Sequence, residues 1–226
     1  MVRRFLKKMK PRLRQIFIKL SEPSPPNLLG DRDIEHSWIA ANLPDGPGKA
    51  LDFGSGIAWM GLLAARKGFE VKAIDLLPVN WYYSHSALQF EKMDLFDLDL
   101  EEYSLDLIIN CSTIEHVGLK GSYNVMEGQP KGDFEAMELI QKYLKPGKLM
   151  LLTLPVGKDK IHYPSHRVYG SERLPELLNG WDIVKEEFWI KDDQNNWIQT
   201  TKDVALNTET QQHYYGLGLF VLKPVT

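Results

Sequence analysis

The sequence has a single cysteine and no long hydrophobic run. Cys111 is the only cysteine among 226 residues, which excludes an intramolecular disulfide and a multi-cysteine metal site. The longest strongly apolar stretch, residues 149–154, is far shorter than the ~20 residues that a membrane-spanning helix needs. We therefore expect a cytoplasmic chain that does not span a bilayer, with a length suited to one α/β domain and an appendage.

Basic residues are scarce after residue 20. That part of the chain holds 19 Lys and Arg against 30 Asp and Glu, a net charge of −11. Because such a body offers no surface for following nucleic-acid phosphates, we expect no nucleic-acid partner.

Residues 1–20 have the opposite charge, with eight Lys and Arg and no acid. Their apolar residues recur at the spacing of one helical face, although Pro11 would kink the helix. The pattern predicts a basic amphipathic helix that lies on an anionic membrane surface, peripheral on the inner membrane face. Packing on the body or on a partner, and a frayed tail, are the alternatives. Residues 21–26 are a proline-rich linker, and we place the domain at residues 27–226.

Within that domain, short apolar runs alternate with helical patterns. This alternation predicts a mostly parallel sheet with helices on both faces. The expected helices cover residues 33–43, 57–67, 134–144 and 174–178, and the expected strands cover residues 49–53, 70–74, 89–93, 105–110 and 149–154. Two longer strands, 181–190 and 215–222, are expected as an antiparallel edge pair. The polar segment between them, 191–213, is expected as a surface excursion and a possible substrate lid.

A glycine loop follows the first predicted strand. The strand ends in Asp52 and Phe53 and continues into Gly54-Ser55-Gly56, a position where open α/β sheets bind ligands. The dinucleotide-binding fingerprint requires Gly or Ala where this chain has Trp59, so the loop favours a different cofactor. An acid at position 52 suits a cationic group of that cofactor.

Two further acids end the next strands. Asp75 ends the second strand, where a carboxylate can accept hydrogen bonds from both hydroxyls of a ribose. Asp94 ends the third strand and suits an adenine amino group. The aromatic run Trp81-Tyr82-Tyr83 suits either the side of a cofactor, a sugar face or the core.

Residues 48–222 resemble the class I methyltransferases that depend on S-adenosylmethionine (SAM). The likeness rests on the glycine loop, on Asp75 and Asp94, and on the turn at residues 144–148, which lacks the second glycine of the family pattern. It implies a Rossmann-like α/β fold, a seven-stranded sheet of order 3-2-1-4-5-7-6 with the seventh strand antiparallel, and SAM as cofactor. The residues implied to bind SAM are Asp52, Gly54, Ser55, Gly56, Asp75, Leu76, Asp94, Leu95 and Asn110.

A narrower likeness is to uncharacterised methyltransferase-like proteins linked to bacterial surface-polysaccharide pathways. It rests on the blocks 111–119, 132–133, 154–157 and 166–170. It implies a saccharide or another glycan-pathway intermediate as methyl acceptor.

Residues after the fourth and fifth strands suit the acceptor. A neutral His116 can take a proton from an acceptor hydroxyl, with Glu115 orienting its ring, although both residues equally suit a structural role. His166 and Arg167 suit a hydroxyl, carboxylate or phosphate of the acceptor, and Arg167 equally suits an ion pair with an acid of the body. His162 and His166 have the spacing of a helical zinc site, but Pro164 between them argues against a helix, so we expect no metal.

These observations favour an O-methyltransferase. N-methylation of a small molecule and a SAM-binding scaffold without catalysis are the alternatives, and a nucleotide-dependent oxidoreductase is disfavoured by Trp59. The sequence leaves the methylated atom and the oligomeric state open.

Overall fold

A computed structural model describes residues 29–57, 59–123 and 125–225. The predicted N-terminal helix (1–20) and the linker (21–26) lie outside the described residues. No helix within the described ranges is long and apolar enough to cross a membrane.

The centre of the fold is an eight-stranded sheet of order β3-β2-β1-β4-β5-β10-β8-β9. The strands β1 to β5 are parallel neighbours, whereas β10 is antiparallel to both β5 and β8. The bounds are β1 Gly48–Phe53, β2 Phe69–Asp75, β3 Leu88–Lys92, β4 Leu105–Cys111, β5 Leu144–Val156, β6 Lys160–His162, β7 His166–Val168, β8 Trp181–Lys191, β9 Trp197–Thr200 and β10 Gly216–Pro224.

The observed sheet corrects the expected one in two details. The predicted antiparallel pair, β8 and β10, is present, but β9 pairs with β8 and takes the sheet edge, so the sheet has eight strands rather than seven. A separate hairpin, β6–β7, was not predicted. The mostly parallel Rossmann-like architecture with helices on both faces is confirmed.

Helices cover the two faces of this sheet because successive strand residues point to opposite sides. Leu51 and Ile108 belong to one apolar core and Ala50 to the other. The helices are α1 Asp31–Asn42, α2 Met60–Arg66, α3 Gly132–Tyr143, α4 Arg173–Leu177 and α5 Lys202–Leu206. Buried residues of α1 and α2 pack in the core that contains Ala50, and those of α3, α4 and α5 pack in the other.

The segment expected as a surface excursion, 191–213, is more ordered than predicted. It contains β9 and α5, and Ala205 and Leu206 of α5 are buried in the core. Only its last part reaches the ligand-sized cavities described below.

Candidate functional site

The carboxyl ends of β1 to β4 surround a cavity of about 470 Å³. This first cavity lies where parallel strands of an open sheet normally bind ligands. Seven of the predicted cofactor residues line it: Gly54, Ser55, Gly56, Asp75, Leu76, Asp94 and Leu95.

The glycine loop is held against β2 and against the turn that follows β4. The amides of Gly54 and Ser55 both donate to the carbonyl of Ile74, at 2.9 and 3.1 Å. Gly54 has a φ of +69°, and a Cβ on it would collide with the side chain of Thr113. A Cβ on Gly56 would meet mostly open space, because this residue faces the cavity. Gly54 is therefore needed for packing against Thr113, while Gly56 leaves room for a ligand.

Asp75 connects β2 to the loop. Its Oδ2 accepts the Gly56 amide at 2.9 Å, and its Oδ1 accepts the Leu77 amide at 2.9 Å. A carboxylate has about four acceptor positions, so both oxygens can still accept hydrogen bonds from a ligand. The loop is held from its other side as well, since the Trp81 indole donates to the Gly56 carbonyl at 3.0 Å and stacks on Tyr83.

Asp94 lies at the end of β3, on the far side of the cavity. Its Oδ1 accepts the Phe96 amide at 3.0 Å and so caps the one-turn helix Leu95–Asp97. Asp94 lines the cavity beside Leu95 and Phe96, and its second carboxylate oxygen is not used by this cap.

Asp52 and Asn110 lie behind the lining rather than on it. Asp52 accepts the Gly61 amide at 2.8 Å, and burial raises the pKa of its carboxyl to about 7. Asn110 accepts the Ile114 amide at 3.2 Å and donates to the Phe53 carbonyl at 3.4 Å. Both therefore brace the loops that form the cavity, and the geometry gives Asp52 no direct contact with a cationic ligand group.

A second cavity of about 150 Å³ adjoins the first. Three residues line both cavities: Arg32, Ser112 and His116. The rest of the second lining comes from the start of α1, from the turn that follows β4, from the segment that leads into β7 and from the loop before β10. Its residues are Asp31, Glu115, Ser165, His166, Gln212, His213 and Tyr215.

His116 stands at the junction of the two cavities. Its Nδ1 donates to the Ser165 carbonyl at 2.6 Å, which leaves the lone pair on Nε2. Burial lowers the pKa of His116 to about 4, so the ring is neutral at pH 7. Glu115 Oε1 is 3.7 Å from Nε2, too far for a hydrogen bond. The Ser165 carbonyl therefore orients the ring, and not Glu115 as expected from the sequence.

Glu115 is 2 % exposed, and burial raises the pKa of its carboxyl to about 8. It is therefore largely protonated at neutral pH. It lines the second cavity only.

The structure separates His166 from Arg167. His166 lines the second cavity, and its Nδ1 lies 3.0 Å from the Ser165 hydroxyl. Arg167 is fully buried and lines neither cavity. It donates to the carbonyl of Val117 at 2.6 Å and lies 3.6 Å from Asp133, so the guanidinium braces the segment that carries His116. Its predicted contact with the acceptor is corrected by this burial.

His162 and His166 do not lie on a helix. They are directly opposed residues of the β6–β7 hairpin, with ring centroids 5.3 Å apart. Among the described residues, no group of three or more His, Cys, Asp or Glu could hold a metal ion.

Sequence reasoning missed the contribution of α1. Arg32 donates to Glu35 at 2.8 Å, and Glu35 also accepts Thr153 Oγ1 at 2.6 Å and the Ser112 hydroxyl. This network joins α1 to the ends of β4 and β5. The expected start of this helix at residue 33 left Arg32 outside it. Asp31 and Asp33 could have indicated the true start at residue 31, because acids favour a helix N-terminus.

Comparison with known proteins gives one matching family and several structures with the same fold. The family described as "Caenorhabditis protein of unknown function, DUF268" matches residues 54–223. No curated protein matches the chain.

Solved structures share the fold at low identity. One is the Burkholderia thailandensis 1,6-didemethyltoxoflavin-N1-methyltransferase, whose structure contains S-adenosylhomocysteine (SAH). It is 14% identical to this chain with a TM-score of 0.58, and the match covers 88% of this chain and 81% of the methyltransferase. Phosphoethanolamine N-methyltransferase 2 of Haemonchus contortus, with SAM, is 15% identical with a TM-score of 0.55 and covers 86% and 53%. The [4+2]-cyclase SpnF is 17% identical with a TM-score of 0.56 and covers 86% and 81%. The fold is thus that of SAM-dependent methyltransferases, and it also occurs in a cyclase.

Proposed function

We propose that this chain, which belongs to the DUF268 family of unknown function, is a SAM-dependent methyltransferase. The observation that carries the proposal is the first cavity, whose lining combines the open space at Gly56 with Asp75 and Asp94 from the ends of neighbouring strands.

The lining of this cavity fits SAM. Asp75 has acceptor positions for a ribose diol, and Asp94 has an oxygen for the adenine amino group. Ser55 Oγ is buried and has no partner among the described residues, so it suits a polar group of the amino-acid end. When bound, SAM supplies an electrophilic methyl group.

The acceptor enters through the second cavity, since this cavity meets the first at Ser112 and His116. We assign a hydroxyl acceptor, whose proton passes to Nε2 of His116. A weakly basic imidazole suffices because the acceptor oxygen becomes strongly acidic as its bond to the methyl carbon forms. The Ser165 carbonyl keeps the lone pair on Nε2 by accepting the hydrogen bond that Nδ1–H donates.

For the acceptor we propose a saccharide or another glycan-pathway intermediate. The support is the likeness of the four sequence blocks to methyltransferase-like proteins of surface-polysaccharide pathways. N-methylation of a small molecule is the alternative, and the two N-methyltransferases among the structural neighbours favour it.

Transfer of labelled methyl from SAM to fractionated host lipids and glycans, with mass identification of the product, tests the function. We expect His116→Ala to keep SAM affinity within a few fold and to slow turnover by roughly 10²-fold. His162→Ala is the matched control, because His162 lies outside both cavities.

Three outcomes would change the assignment. SAM binding without transfer to any fraction would indicate a scaffold. Tight NAD(P) binding without SAM binding would indicate an oxidoreductase. Collapse of SAM binding in His116→Ala would make His116 part of the cofactor site or of the fold.

We also propose that residues 1–20 bind the inner membrane face, because they carry eight positive charges while the rest of the chain is strongly acidic. Removing residues 1–20 is expected to release the protein from anionic liposomes at moderate salt. Equal flotation of the full-length and shortened chains would contradict this.

A further inference from the structure

Two buried polar atoms of the second cavity have no hydrogen-bond partner among the described residues. They are Oε2 of Glu115 and Nε2 of His166, on side chains that are 2% and 4% exposed. Both residues line the same small cavity. Because an unpaired buried polar atom costs stability, two such atoms on residues that line one cavity indicate a polar ligand that pairs with both.

The fixed charges around this cavity argue against an anion. Arg32 is the only Arg or Lys among the lining residues that the structure describes, and it is already paired with Glu35 at 2.8 Å. Asp31 also lines this cavity. Burial raises the pKa of its carboxyl. A bound carboxylate or phosphate would therefore meet an acid and no unpaired guanidinium or ammonium group.

The remaining groups suit hydroxyls. Burial raises the pKa of Glu115 to about 8 and lowers the pKa of His166 to about 4. At neutral pH the first is largely a protonated carboxyl that can donate, and the second is a neutral imidazole with one donor and one acceptor nitrogen. Ser112 and Gln212 add a hydroxyl and an amide to the lining, and a hydroxyl group can pair with every one of these partners.

We propose that the second cavity binds an uncharged, hydroxyl-rich ring of the methyl acceptor through Glu115 and His166. That this ring belongs to a methyl acceptor rests on the proposed function, but its binding is measured without methyl transfer. The ligand is a neutral cyclic polyol, and Glu115 and His166 are residues that bind it.

Saturation-transfer NMR on the full chain, with and without SAH, tests the proposal. The probes are D-glucose and myo-inositol as neutral polyols, and acetate and inorganic phosphate as anions, the latter followed by broadening of its phosphorus resonance. We expect signals from at least one polyol and none from the anions. Binding of an anion without a polyol, or of neither, would overturn the proposal.

His166→Phe tests the unpaired nitrogen directly. Phe keeps a ring in the buried position and removes the polar atom, so we expect a higher melting temperature, at least tenfold weaker polyol binding, and SAH affinity within twofold of wild type. His162→Phe is the matched control, because His162 is the cross-strand neighbour outside both cavities, and it should keep polyol binding.

Gln212→Trp tests the cavity without touching the core, because Gln212 is exposed but lines the cavity. We expect the indole to block polyol binding at least tenfold, while Gln211→Trp, one residue outside the lining, leaves it unchanged. Polyol binding that survives both His166→Phe and Gln212→Trp would contradict the proposal. If SAH does not bind but polyols do, the proposed function fails while this inference stands.

Discussion

Asp75 has a double role at the scale of single residues. It fixes the glycine loop through the Gly56 amide, and it offers its remaining acceptor positions to the first cavity. We predict that Asp75→Asn weakens SAM binding about 10- to 100-fold, because an amide nitrogen cannot accept hydrogen bonds and hydrogen bonds to a charged group contribute about 1.5–3 kcal/mol. Isothermal titration calorimetry measures the change.

Asp97→Asn is the control for this prediction. Asp97 is an exposed acid that lies three residues after Asp94 and does not line the cavity. Equal losses of affinity in both variants would show a general effect of charge, and no loss in Asp75→Asn would remove Asp75 from the cofactor site.

The position of a side chain along a strand could be predicted from the sequence better than its direction. Gly54, Asp75 and Asp94 lie at or just after strand ends. Because the carboxyl ends of parallel strands meet at one edge of the sheet, their convergence was predictable. Asp52 and Arg167 lie equally close to strand ends. Their burial depends on contacts with Gly61 and Val117, which no local pattern in the sequence indicates.

Arg167 also ties two elements together. From β7 it donates to the Val117 carbonyl at 2.6 Å and lies against Asp133 at the start of α3. We predict that Arg167→Met lowers the free energy of unfolding by at least about 2 kcal/mol, because buried carbonyls lose their donor. Asp133 retains Arg173 at 2.7 Å, so its charge stays paired. Urea unfolding measures the loss.

Arg66→Met serves as the control for the Arg167 variant. Arg66 ends α2 and is exposed, and surface substitutions of this kind stay within about 0.5 kcal/mol. Unchanged stability of Arg167→Met together with weaker acceptor binding would instead restore the substrate-binding role that the sequence predicts.

Elements with a strong apolar pattern were predicted, and short polar ones were not. The strands β1, β4 and β5 are buried along most of their length, so they appear in the sequence as apolar runs. In contrast, β6, β7 and β9 have three or four residues each, too few for a recognisable apolar pattern. Such strands exist because a neighbour supplies hydrogen bonds, which a single-sequence pattern does not show.

At the scale of the whole molecule, the two cavities are built by largely different segments of the chain. The first cavity is built mainly by the ends of β1 to β4, which the methyltransferase fold provides. The second also depends on α1, on the approach to β7 and on the loop before β10. The fold therefore indicates the cofactor, while the acceptor has to be argued from these segments.

Buried titratable groups make the stability of the whole molecule depend on pH in two opposite ways. Burial lowers the pKa of His116 and of His166 to about 4. Between pH 6.5 and pH 4 the unfolded state therefore binds more protons than the folded state, and the free energy of unfolding decreases as pH falls through this range. Burial raises the pKa of Glu115 to about 8 and of Asp52 to about 7. These two groups hold protons only when folded, so their contribution is lost as pH rises through those values.

Between pH 6 and pH 8 the histidine contribution approaches its full value, and the larger losses at the two carboxyls dominate. We predict that the free energy of unfolding falls between pH 6 and pH 8, and that Glu115→Gln makes this fall shallower by up to about 1.4 kcal/mol per pH unit, the slope set by one proton. Urea unfolding at four pH values measures the slope. Glu70→Gln, at an exposed position of β2, is the control and should keep the wild-type slope. A Glu115→Gln slope equal to that of wild type would mean that Glu115 is already ionised in the folded chain, and it could then no longer donate a proton to a hydroxyl in the second cavity.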